Sequence, residues 1–176
     1  MKLHIRRHTL TLLCAALLGV AAPGAWAQLD SPLPGGVPAG TGAGVHSPNS
    51  PFAPLPQRND VLPWSMLTDV KTRVVKKKLL PDFPAPVQAL ADKTQRVQGF
   101  MMPLEPGERQ KHFLLTSVPL TCSFCTPGGP ESMVEVKTKT PVKYTLEPVV
   151  VEGVFAVLAD DSYGLYYRMT EAVAVK

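Results

Sequence analysis

The stretch EPVVVEGVFAVLAD, residues 147–160, constrains the fold more than any other part of this 176-residue chain. It is rich in β-branched residues, apolar on both faces, and bounded by Pro148 and by Asp160-Asp161, so it reads as a strand. Gly153 relieves it at the middle, where a bend or bulge is expected. The turn DDSYG follows, and GLYYRMTEAV returns as a hairpin partner.

Shorter strand patterns precede it. VKTRVVKKK (70–78), TQRVQGFMMP (94–103) and HFLLTSV (112–118) each read as strands, with Val97, Gly99 and Met101 on one face of the second. SMVEVKTK and PVKYTLE form one bent strand or a hairpin broken at Pro141. VLPWSMLTDV (61–70) reads as an entry turn or helix anchored by Trp64 and Leu67, and VQALAD (87–92) as one helical turn. Five or six short strands with little helix in about 115 residues point to a mainly β fold, a small OB-like barrel, with a small β-sandwich as the alternative.

Residues 1–27 have the three parts of a secretory signal: Lys2, Arg6 and Arg7, an apolar run from Thr9 to Ala22, and the small-x-small site Ala25-Trp26-Ala27. Cleavage after Ala27 is expected, with a periplasmic location and no membrane-spanning segment in the mature chain. Cys14 lies in the signal core as an incidental apolar residue. Without the signal, 15 basic residues face 14 acidic ones, a net charge of +1, so the basic balance of the whole chain does not advertise nucleic-acid binding. Residues 28–61 are dense in Pro, Gly and Ser and read as a disordered tether, which makes His46 a poor ligand for a preformed site. The domain is expected over 62–176. The run Lys76-Lys77-Lys78 reads as a solvated strand end that could touch an anionic surface.

Of the three cysteines, Cys122 and Cys125 survive processing, three positions apart and followed by Thr-Pro-Gly-Gly-Pro. An oxidising compartment makes a disulfide the default. A metal site for zinc or copper would use Cys122, Cys125 and His112, completed by Glu105, Glu131, water or a partner, with Met101 or Met102 as a thioether option. A thiol-disulfide oxidoreductase is the least favoured alternative, because a reactive C-x-x-C wants a helix N-terminus and Pro127 to Pro130 cannot propagate one. No G-x-S-x-G, H-E-x-x-H or phosphate-loop motif is present, so no catalytic residue is assigned. Tyr163, Tyr166 and Tyr167 invite a base-stacking reading, which secretion and near-neutral charge oppose.

The strings GFMMPLE (99–105), FLLTSVPLTCSFCTPGGPE (113–131), VVVEGVFAV and GLYYRMTEA resemble an uncharacterised family of secreted or lipid-anchored proteobacterial proteins, a domain of unknown function with an OB-like barrel. The resemblance implies a barrel over roughly 62–174 and no established activity. It also implies an envelope setting beside ABC transporters, in some cases zinc-responsive, with Cys or His at the second position of the pair. The chain departs from the lipid-anchored members in lacking a usable lipobox. Together these readings give a non-enzymatic accessory or binding module of an envelope transport or metal-homeostasis system, with the cysteine loop as its functional patch and an envelope protein as partner. A structural protein-interaction domain with a disulfide is the alternative.

Overall fold

The computed structural model describes residues 42–175. The signal segment with its cleavage site after Ala27, and residues 28–41 of the expected tether, lie outside the described residues. Prolines mark where regular structure begins. Pro63 precedes the single-turn helix α1 (Trp64–Leu67), and Pro84 precedes α2 (Ala85–Gln88), where fixed φ and the missing N–H cost nothing at a first turn. Between them β1 (Lys71–Val75) and β2 (Lys78–Asp82) form a hairpin of their own. Its two-residue turn is Lys76-Lys77, both at positive φ of 49° and 66°, as a turn matching strand twist requires.

The remaining strands are β3 (Lys93–Pro103), β4 (Arg109–Thr116), β5 (Met133–Lys143), β6 (Val149–Val157) and β7 (Tyr167–Val175). They close in the order β3-β4-β5-β7-β6 and back to β3, with β5 and β7 parallel and every other pair antiparallel. This is the strand order of an OB-type barrel. The expected OB-like fold is what forms, and the sandwich alternative falls because the ring leaves no open edge.

Of the two readings of SMVEVKTK and PVKYTLE the single bent strand forms, and one detail near Gly153 differs from the sequence reading. Pro141 does not break β5; the strand runs through it, and the pairing with β4 shifts between Gln110 and His112 to absorb the extra residues. Gly153 sits opposite a bulge, but the extra residue is on its partner, where Glu171 in β7 has a φ of 53°. A Cβ on Gly153 would lie 2.7 Å from the Thr170 carbonyl oxygen and 2.9 Å from the Ala172 Cα. The glycine therefore serves close approach of two backbones.

Inward-facing side chains follow strict alternation: Val97 and Met101, Phe113 and Leu115, Val134 and Val136, Val151 and Phe155, Tyr167 and Met169 fill the barrel. Leu67 of α1 and Val87 of α2 are fully buried against the same core. The Tyr167 hydroxyl donates to the Leu67 carbonyl at 2.6 Å, so the largest buried side chain has its polar end satisfied. Burial of one such aromatic ring stabilises the fold by roughly 2–3 kcal/mol. Tyr166 meets Phe83 edge-on, Tyr167 lies tilted against Phe83 and Phe155, and of the three tyrosines only Tyr163 is exposed, so they make no stacking platform.

Because consecutive barrel strands alternate in direction, loops 104–108 and 144–148 share one end. Loops 117–132 and 158–166 share the other. Among the described residues no helix is long and apolar enough to cross a membrane.

Candidate functional site

The loop joining β4 to β5 carries the two cysteines. Its neck is closed by the Ser117 N–H, which donates to the Ser132 carbonyl at 3.1 Å, and by a single 3-10 turn at Pro130–Ser132. Inside the loop, Cys122 N–H donates to the Pro119 carbonyl and Cys125 N–H to the Cys122 carbonyl, two successive turns that bring the side chains face to face. Cys122 and Cys125 form a disulfide across a Cα separation of 5.3 Å. The cost of leaving the thiols free is small: closing a loop of about four residues is worth about 2 kcal/mol.

A second segment braces the loop from outside. Residues 42–50 lie along it: Val45 and Thr126 exchange both backbone hydrogen bonds, at 2.8 and 2.9 Å, and the Ser117 hydroxyl donates to the Ala43 carbonyl. The Gly42 N–H donates to the Glu131 carboxylate, and the Ser50 hydroxyl lies 3.3 Å from the Cys122 sulfur, which in a disulfide can only accept. Two glycines make this possible. Gly44 has a φ of 74° and a Cβ there would meet the Thr126 carbonyl oxygen at 2.6 Å, while one on Gly128 would meet the Gly42 carbonyl oxygen at 2.1 Å. Contact with the barrel thus begins before Leu62, in a part of the chain whose composition reads as tether.

The result is a braced loop with one side in and one side out. Cys122 is buried, at 6% exposure, while the neighbouring Phe124 ring is 63% exposed. An exposed phenyl ring on a backbone already held by turns, a disulfide and a strap is a ready contact for another apolar surface.

The three expected metal ligands are not brought together. The sulfurs of Cys122 and Cys125 are bonded to each other, and His112 Nε2 lies 2.7 Å from the Glu135 carboxylate, with Nδ1 3.9 Å from Glu105. Glu131 is taken by the strap, Met101 lies in the core and Met102 is exposed. Among the described residues no three His, Cys, Asp or Glu side chains are grouped to hold a metal ion. No helix follows Cys125, since Thr126 is in the bridge to Val45, so the thiolate-stabilising dipole of a redox pair is absent from the described residues.

His112 belongs to a different cluster, on the outer face of β4, β5 and β7. Glu135 accepts from Arg168 and from His112 and lies 3.6 Å from Lys137; Arg168 also reaches Asp161 at 3.1 Å. Burial pushes the Glu135 carboxyl up, but the hydrogen bonds from Arg168 and His112 and the charges of Arg168 and Lys137 outweigh it and hold it below the usual carboxylate range. Asp161 is likewise held low, first by the Tyr163 N–H at its carboxylate.

His46, set aside as part of a tether, lines a groove of about 380 Å³ beside the loop neck, together with Gly44, Trp64, Gln98, Ser117 and Val118. Its buried Nε2 has no hydrogen-bond partner among the described residues, whereas Trp64 Nε1 donates to the Gln98 carbonyl at 2.9 Å.

The family model described as "Protein of unknown function (DUF3299)" matches residues 65–172. No curated protein matches the chain. Among solved structures, the chain is similar to a DUF3299 family protein from Pseudomonas aeruginosa PAO1, with 25% identity and a TM-score of 0.42, over 75% of this chain and 91% of that one.

Proposed function

Because this chain belongs to the DUF3299 family, whose matched span takes in the cysteine loop and most of the barrel and whose function is not known, we propose that it is a non-enzymatic binding module of the bacterial cell envelope that docks a protein partner through the Cys122–Cys125 loop. One observation carries the reading: Phe124 is 63% exposed on a loop whose backbone is fixed before any partner arrives. Burying such a ring contributes roughly 2–3 kcal/mol, and a loop already ordered loses little entropy in the process. A disulfide and the signal-like residues 1–27 support a periplasmic location. The partner is proposed to be a component of an envelope transport system, the setting that the family resemblance implies. Zinc or copper handling would require reduction of the disulfide and further ligands from that partner.

A photo-crosslinking residue placed at position 124, in the full chain and in the source bacterium, tests this. A discrete adduct with an envelope protein is expected, absent from a control at the exposed Glu108 in the loop joining β3 to β4 and lost when Cys122→Ser and Cys125→Ser unlock the loop. No adduct from position 124, or the same adducts from both positions, would remove the proposal. Turnover of insulin disulfides by the purified protein would instead favour an oxidoreductase.

A further inference from the structure

The hairpin β1–β2 plays no part in closing the barrel and presents a surface that the cysteine loop does not explain. The hairpin, Lys71–Asp82, holds five cations, Lys71, Arg73, Lys76, Lys77 and Lys78, against one acid, Asp82, at its base opposite Lys71. Among the described residues only Lys78 has an acidic partner, Asp160. Cross-strand register puts Val74 opposite Leu79, on the same face as Thr72 and Pro81. Pro81 is buried at the base of the hairpin, but toward the tip Val74 is 73% and Leu79 62% exposed. Two apolar side chains thus stand free, with the Lys76-Lys77 turn just beyond them. Tyr163, also exposed, extends from loop 158–166, to which the Lys78–Asp160 pair ties the hairpin.

We infer that this hairpin is a membrane-surface anchor: Val74 and Leu79 enter the headgroup region of an anionic phospholipid bilayer while Lys76 and Lys77, at the turn beyond them, contact the lipid phosphates. The chemistry of the patch selects this occupant. Long lysine and arginine stems can lie along an apolar layer while their heads stay at its charged surface, and a tyrosine suits the same interface. A second copy of the chain does not fit, because pairing two exposed β1 strands would set like charges against each other. Each cation near an anionic surface strengthens binding about fivefold. Each apolar side chain carried from water into the bilayer adds about tenfold.

Sedimentation of the mature chain with vesicles tests the anchor. Wild-type protein is expected to bind phosphatidylglycerol-containing vesicles at low salt, to bind pure phosphatidylcholine far less, and to be released as salt screens the contact. Lys76→Gln with Lys77→Gln should weaken binding about thirtyfold. Val74→Ser with Leu79→Ser should weaken it about a hundredfold, with unchanged circular dichroism because all four side chains are exposed. Absence of binding to the anionic vesicles, or binding that neither pair alters, would overturn the inference. Retained binding in Val74→Ser with Leu79→Ser, lost only with the lysines, would overturn it too and make the patch a site for acidic proteins. None of these outcomes depends on the partner of Phe124.

Discussion

Gly128 has no room for a methyl group: one there would sit 2.1 Å from the Gly42 carbonyl oxygen and 2.5 Å from the Ser132 hydroxyl. Both neighbours are fixed by their own bonds, so Gly128→Ala is expected to push the strap off the loop and cost about 1–3 kcal/mol. The urea midpoint should fall, and amide exchange should speed up at Val45 and Thr126 while β6 stays protected. In the sequence, Pro127 to Pro130 is legible only as a turn. The reason Gly128 must be a glycine lies at Gly42 and Gly44, more than 80 residues away, and no local pattern carries it. His112 shows the same limit: its closeness to two cysteines in sequence suggests a ligand, whereas strand register turns it toward Glu135.

At the scale of elements, the row Arg168–Glu135–His112 joins three strands across the outside of the barrel. The Glu135 carboxyl is held low in the folded protein, so its contribution is complete above the unfolded value of about 4.3 and is lost as pH falls through the lower folded value. Glu135→Gln should lower stability at neutral pH by about 1–3 kcal/mol, since a nearly buried partner of Arg168 is lost. The thermal midpoint of the variant should then converge on that of wild type as pH drops below about 4. A constant gap would show that the carboxylate charge is not what the row uses. The strands themselves were largely readable: Val97, Gly99 and Met101 alternate as their burial later requires, and the long run around Gly153 is β6. What alternation could not convey was the bulge, since Glu171 in β7 looks like any exposed strand residue and its displacement is set by the neighbour it crosses.

For the molecule as a whole, the strap decides how much of the chain is structural. Composition marks 28–61 as a spacer because it holds no periodic apolar pattern. Yet Gly42, Ala43, Val45 and Ser50 all bond to the cysteine loop through backbone groups and hydroxyls, contacts that need no apolar periodicity. A chain begun at Leu62 is expected to lose about 5 kcal/mol relative to one begun at Gly42, at about 1 kcal/mol for each of the strap's hydrogen bonds to the loop. Equal urea midpoints for the two would show that the strap only rests on the barrel.

The place of β7 in the ring has a bearing on how the molecule comes into being. Tyr167–Val175 is the last strand in the chain, yet it lies between β5 and β6 and pairs with both. A growing or partly delivered chain therefore holds four strands with two open edges and a core without Tyr167 and Met169. The ring can be completed only once β7, which follows the other barrel strands in sequence, has been made. Closure therefore waits on β7, and a product ending before Tyr167 would expose the strand edges that closure removes.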